Sequence, residues 1–133
     1  MRQLIIVILT LLLCLACDPY RNVRYGTVSF SADTLYFDTV FSSIGSVTGE
    51  FRAINRSREP LLIDRIYLGG ASGSPFRINI DGEPVTEKED VILAPGDSIF
   101  VFVDVIIDPN GGNSPLAVTD SVVFDSGGNI MSV

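Results

Sequence analysis

Histidine and tryptophan are missing from this 133-residue chain, lysine occurs once and cysteine twice. Without histidine there can be no Ser-His-Asp or Cys-His nucleophile system and no imidazole-ligated metal centre. Without tryptophan, and with only four tyrosines, the aromatic platforms of a carbohydrate site are scarce. Basic residues are few: nine Lys and Arg face sixteen Asp and Glu, a net charge of −7. Such a chain repels a phosphate backbone, so nucleic acid is excluded as a partner. What is present is a globular composition, 47% hydrophobic and 19% charged, long enough for one domain.

Residues 1–16 read as a signal peptide. Arg2 gives a basic start, Leu4 to Leu13 is apolar except for one Thr, and Ala16 is a small residue before Cys17. The apolar stretch to Cys17 would span about 21 Å as a helix, too short for a hydrocarbon core of about 30 Å. Ala16-Cys17 resembles the lipobox of bacterial lipoprotein precursors. The resemblance implies cleavage before Cys17 and acylation of its thiol, with palmitate-type chains holding the protein on a membrane. A single acyl chain binds only reversibly, so stable anchoring takes more than one. Residues 17–26 then form the lipidated Cys and a polar tether. Asp18-Pro19-Tyr20-Arg21 lacks the acidic tract that surface-displayed relatives carry after the Cys, which implies an outer-membrane position facing the periplasm.

Residues 27–133 read as all-β. Apolar alternation predicts strands at 27–31, 35–41, 47–53, 61–68, 76–80, 98–108, 119–124 and from Ile130 to the end, with turn residues between them and Val91-Ile92-Leu93 leading into the 94–97 turn. Residues 83–90 are charged and read as an exposed connection. Both faces of 61–68 are mixed, which leaves its register open. In 98–108 the odd row, Ile99, Val101, Val103, Val105 and Ile107, is entirely β-branched and must face a core. The fold predicted is an immunoglobulin-like two-sheet sandwich of seven to eight strands.

The order of motifs resembles the Hydin-type, major sperm protein-like, immunoglobulin-like domain. Leu35-Tyr36-Phe37-Asp38-Thr39-Val40 matches the family's opening strand, and Asn55-Arg56-Ser57 its Asn-x-Ser turn. Ser74-Pro75-Phe76, Leu93-Ala94-Pro95-Gly96-Asp97-Ser98 and Pro109 follow in the expected order. The phrasing is most similar to lipoproteins of Bacteroidota. By that resemblance the domain is incomplete at its last strand, and the chain belongs to a longer parent.

Candidate sites are few. The Asp residues sit mostly at turns and strand ends, where they bond their own backbone, and no carboxylate pair is singled out by spacing. Neither an enzyme, a cofactor nor a metal site is expected. Asp81-Gly82-Glu83 and Asp108-Pro109-Asn110 could offer oxygen ligands to calcium but lack regular acid spacing. Five of the eleven Asp are followed by Ser or Thr, where chance gives about two. Thr34, Thr39, Ser98 and Ser121 lie in Asp-Ser/Thr-aliphatic triplets that resemble the O-glycosylation motif of exported Bacteroidota proteins. The same triplet is also how a turn leads into a strand.

Phe100, Phe102 and Ile106 form the even row of 98–108. Three large apolar residues on an outer face make a patch. Two explanations stand open: the 83–93 segment or the tether folds over them, or they form a docking face. The function expected is a lipid-anchored, non-catalytic domain that positions a protein partner or a following domain. The alternatives are a carbohydrate-binding lipoprotein of a glycan-uptake system and the anchor domain of a longer enzyme.

Overall fold

A computed structural model describes residues 22–37, 48–106 and 117–133. Nine strands are present among them: β1 (Ser29–Phe30), β2 (Gly49–Ile54), β3 (Leu61–Leu68), β4 (Phe76–Ile80), β5 (Glu83–Val85), β6 (Glu87–Leu93), β7 (Ser98–Val105), β8 (Val122–Ser126) and β9 (Asn129–Ser132). They form two antiparallel sheets, ordered β1-β2-β7-β4-β5 and β6-β3-β8-β9. One 3-10 turn, Ala71–Gly73, is the sole helical element among the described residues. The chain is therefore an all-β two-sheet sandwich, as its alternation predicts.

The core lies between the sheets. Ile99, Val101, Val103 and Val105 of β7 are all buried, facing Ile63, Ile66, Leu68, Val122 and Phe124 of the opposite sheet. Phe30, Phe51 and Phe124 meet in its centre, with ring centroids 5.0 to 6.2 Å apart. Ile107, the last member of the predicted row, lies outside the described residues. β7 also ends earlier than predicted, with Ile106 beyond it.

Residues 83–90 correct the reading of an exposed connection. They are two edge strands, β5 and the start of β6, joined at Thr86. Their charges point outward while their backbones pair with β4 and β3. β5 and β6, neither of them expected as a strand, bring the count among the described residues to nine, above the seven to eight expected. Leu35 to Phe37, predicted to start a strand, have no strand pairing, yet Leu35 and Phe37 pack on the core. A Cβ on Gly49 would meet Phe37 at 3.1 Å and Leu35 at 3.3 Å, so a side chain there would push both away.

The ambiguous register of β3 has a geometric cause. Leu61 and Ile63 are buried, but so are Ile66 and Leu68, so the inward parity changes between Ile63 and Ile66. β6 changes with it: Leu93 and Val91 stand opposite Leu61 and Ile63, while Lys88 stands opposite Ile66. Asp90, in the interval, adopts φ 52°, a left-handed conformation that costs a residue with a Cβ about 1–2 kcal/mol.

Two local devices close the end of the sandwich that Arg24 meets. Asn55 is fully buried. Its Nδ2 donates to the carbonyls of Glu59, Leu93 and Ala94 at 2.9 to 3.0 Å. Its Oδ1 accepts the Ser57 N–H and hydroxyl. Its backbone bonds both ways with the 94–97 turn, through Asp97 and Gly96. The second device corrects the extent of the tether. Arg24 forms a parallel bridge to Leu61, and Gly26 N–H donates to Ser126 Oγ at 3.0 Å. Residues 24–26 thus continue the line that β8 leaves at Ser126, and the segment then crosses to the other sheet as β1. Tyr25 lies directly over Gly127, whose φ of 61° and missing Cβ leave room for the ring.

Candidate docking face

β7 is the middle strand of the five-stranded sheet, between β2 and β4. Because its odd residues fill the core, its even residues stand on the outer face. Phe100 lies opposite Arg52, Phe102 lies between Glu50 and Asn79, and Asp104 lies opposite Arg77. The Phe100 and Phe102 rings stack, 6.2 Å apart with 14° between their planes. The Arg52 guanidinium stands 5.8 Å from the Phe100 centroid, within cation–π range. Phe100 is 41% exposed, Ile106 38%, and Phe102 is half-buried.

The backbone beneath this row is fixed. Phe100 N–H donates to Asp81 Oδ1 at 2.8 Å, and its carbonyl accepts the Asp81 N–H at 3.0 Å. Asp81 and Gly82 both have positive φ, the conformation of a tight hairpin turn. Asp81 is thereby engaged in the turn that was also weighed as a calcium ligand. Ile106 N–H donates to the Pro75 carbonyl at 2.9 Å.

Neither described segment that could have covered the patch does so. β5 extends the same sheet beyond β4, β6 belongs to the opposite sheet, and residues 24–26 lie against β3 and β8. The outer face between the two flanking strands therefore carries an aromatic pair bordered by Arg52, Glu50 and Asn79. Asn79 Oδ1 is itself buried without a hydrogen-bond partner.

An open groove of about 930 Å³ lies where the sheets part, lined by Tyr67, Leu68, Phe76, Arg77, Val85 and Glu87 among others. Its tyrosine is not a free platform. Arg65 lies 4.4 Å from the Tyr67 centroid and 3.7 Å from Glu87, so one ring face is already taken. Tyr25 is engaged at Gly127, and Tyr36 stands 91% exposed.

The hydroxyl positions divide. Thr34 is exposed outside any strand. Ser98 and Ser121 are half-buried, and each N–H is accepted by the preceding carboxylate, Asp97 at 2.8 Å and Asp120 at 2.7 Å. Asp97 thus performs turn chemistry, whereas Asp120 Oδ1 also accepts the Gly70 N–H at 2.8 Å and ties the 69–70 loop to the start of β8. Thr39 and Cys17 lie outside the described residues. Sequence reasoning treated Asn55 as a plain turn residue and missed the pairing of Arg24. A polar side chain in a turn motif does not announce its burial, and a backbone bridge leaves no side-chain pattern. No protein-family model matches this chain, and neither does any curated protein or solved structure.

Proposed function

We propose that this protein is a lipid-anchored, non-catalytic domain of the cell envelope, of the Hydin-type immunoglobulin-like kind. Acyl chains on Cys17 hold it on the outer membrane facing the periplasm, and its Phe100–Phe102–Ile106 face positions a protein partner or a following domain. The observation that carries the reading is the stacked aromatic pair, uncovered by β5, β6 or residues 24–26, on a central strand paired on both sides. Clamping of residues 24–26 supports it. Seven Cα–Cα steps separate Cys17 from Arg24, a reach of at most about 25 Å, so a lipid on Cys17 keeps the Asn55 end of the sandwich near the bilayer. Of the three described hydroxyl positions, Thr34 offers an O-glycan the most open attachment point.

The anchor is tested by fractionation. Cys17→Ser is expected to move the protein from the membrane pellet to the soluble fraction. Continued pelleting with unchanged electrophoretic mobility would rule out the lipid.

The face is tested by charge. Phe100→Glu with Phe102→Glu is expected to change stability by no more than about 1 kcal/mol, because both side chains stand on the outer row. The same double variant is expected to lose the cross-linked adduct formed through this face in intact cells. Loss of the cooperative melting transition would instead make both residues core and remove the docking face.

A further inference from the structure

Among the described residues the two sheets present four edge strands, and three are defended. β1 is two residues long. β5 is three residues long and contains Pro84, which has no N–H to offer. β6 carries Glu87, Lys88, Glu89 and Asp90, the last at φ 52°. Short length, proline, charge and local distortion are the usual protections against strand addition. The fourth edge, β9, is Asn-Ile-Met-Ser, without charge or proline, and Ile130 on it is 60% exposed.

Its free hydrogen-bonding groups can be assigned. Val122 and Val133 exchange both backbone bonds, at 2.9 and 3.2 Å. Antiparallel pairs alternate between bonded and non-bonded. Phe124–Met131 and Ser126–Asn129 are therefore the other bonded pairs, and the N–H and C=O groups of Ile130 and Ser132 point away from β8. They have no partner among the described residues.

We infer that β9 pairs antiparallel with β9 of a second copy of this chain, across a two-fold axis at Met131. That register sets Ile130 against Ser132 of the second copy and Ser132 against its Ile130, closing four backbone hydrogen bonds. Charge permits a copy here, and of the two uncharged edges β9 alone is long enough to pair. In a chain of net charge −7, the acidic β6 edge repels its own kind, whereas β9 presents none of that charge. The contact is isologous and closed, and it makes one eight-stranded sheet from two four-stranded ones. It does not depend on the lipid anchor or on the Phe100 face.

The test uses the chain from Asp18 onward, without acyl chains, in sedimentation velocity from about 10 μM to 1 mM. A concentration-dependent dimer is expected, weakened at least tenfold by Ile130→Lys and unaffected by Phe100→Glu with Phe102→Glu. Ile130→Pro, which removes an edge-facing N–H without adding a charge, is expected to weaken it likewise. In the unsubstituted chain, the Ile130 and Ser132 amides are expected to gain hydrogen-exchange protection as concentration rises. A monomer throughout that range, or association that leaves those two amides unprotected, overturns the inference.

Discussion

Val103→Asp is expected to leave no cooperative unfolding transition at room temperature. Val103 is 4% exposed, in the middle of β7, between Gly49 of β2 and Ile78 of β4. The side chain points into a layer of Val, Ile and Phe that offers no hydrogen-bond donor. A carboxylate there must either stay charged without a partner or take up a proton and still bury an unpaired hydroxyl. Either way the cost is several kcal/mol, against a total stability of about 5–15 kcal/mol for a domain. Lost packing of the valine methyls adds about 1 kcal/mol or more. Circular dichroism in a thermal scan reads the outcome. A melting temperature within a few degrees of the parent chain would show that Val103 faces water, and so that the register of β7 is displaced by one residue. The outer-row variant Phe100→Glu is the internal contrast, since it places the same kind of charge three residues away on the opposite face.

That contrast shows why some of the fold is legible in the amino-acid order and some is not. β7 is legible because a single parity holds along it. Every odd residue meets the opposite sheet, so selection for burial writes a β-branched row that can be read directly. β3 is not legible in this way, because its inward parity changes near Asp64 and only its pairing with Asp90-kinked β6 explains the two mixed faces. β5 and the start of β6 fail for a different reason. An edge strand is defined by backbone pairing on one side, and the charges that protect it from aggregation make it look like a loop. Arg24 to Gly26 are read as tether for the same cause, since their attachment runs through main-chain groups and through Ser126 Oγ. The candidate face was visible as three apolar residues in one row. The stacking of its rings, the approach of Arg52 and the lack of cover by β5 or residues 24–26 needed the sheet order.

Asn55→Ala is expected to lower stability by about 3 kcal/mol. One side chain here satisfies five partners: the carbonyls of Glu59, Leu93 and Ala94, and the N–H and hydroxyl of Ser57. A typical hydrogen bond contributes about 0.5–1.5 kcal/mol net, and stranding a buried partner costs about 1–3 kcal/mol. Some partners regain water at the half-open turn, which keeps the sum well below five full penalties. For a domain of this size the loss corresponds to a fall in melting temperature of about 12–24 °C. Asn55→Asp is expected to be no milder, because it keeps the acceptor for Ser57 but turns a carboxylate towards three carbonyl oxygens. The damage should also travel. The 55–60 turn holds residues 24–26, through Arg24 N–H to the Pro60 carbonyl at 2.9 Å and through the Arg24–Glu59 ion pair at 2.8 Å. The ion pair is exposed and contributes little by itself, so the segment depends on the turn keeping its shape. In Asn55→Ala the amides of Arg24 and Leu62 are therefore expected to exchange faster than those of β7. A loss below about 1 kcal/mol, with Arg24 still protected, would mean that water replaces the side chain and that the two turns hold themselves together.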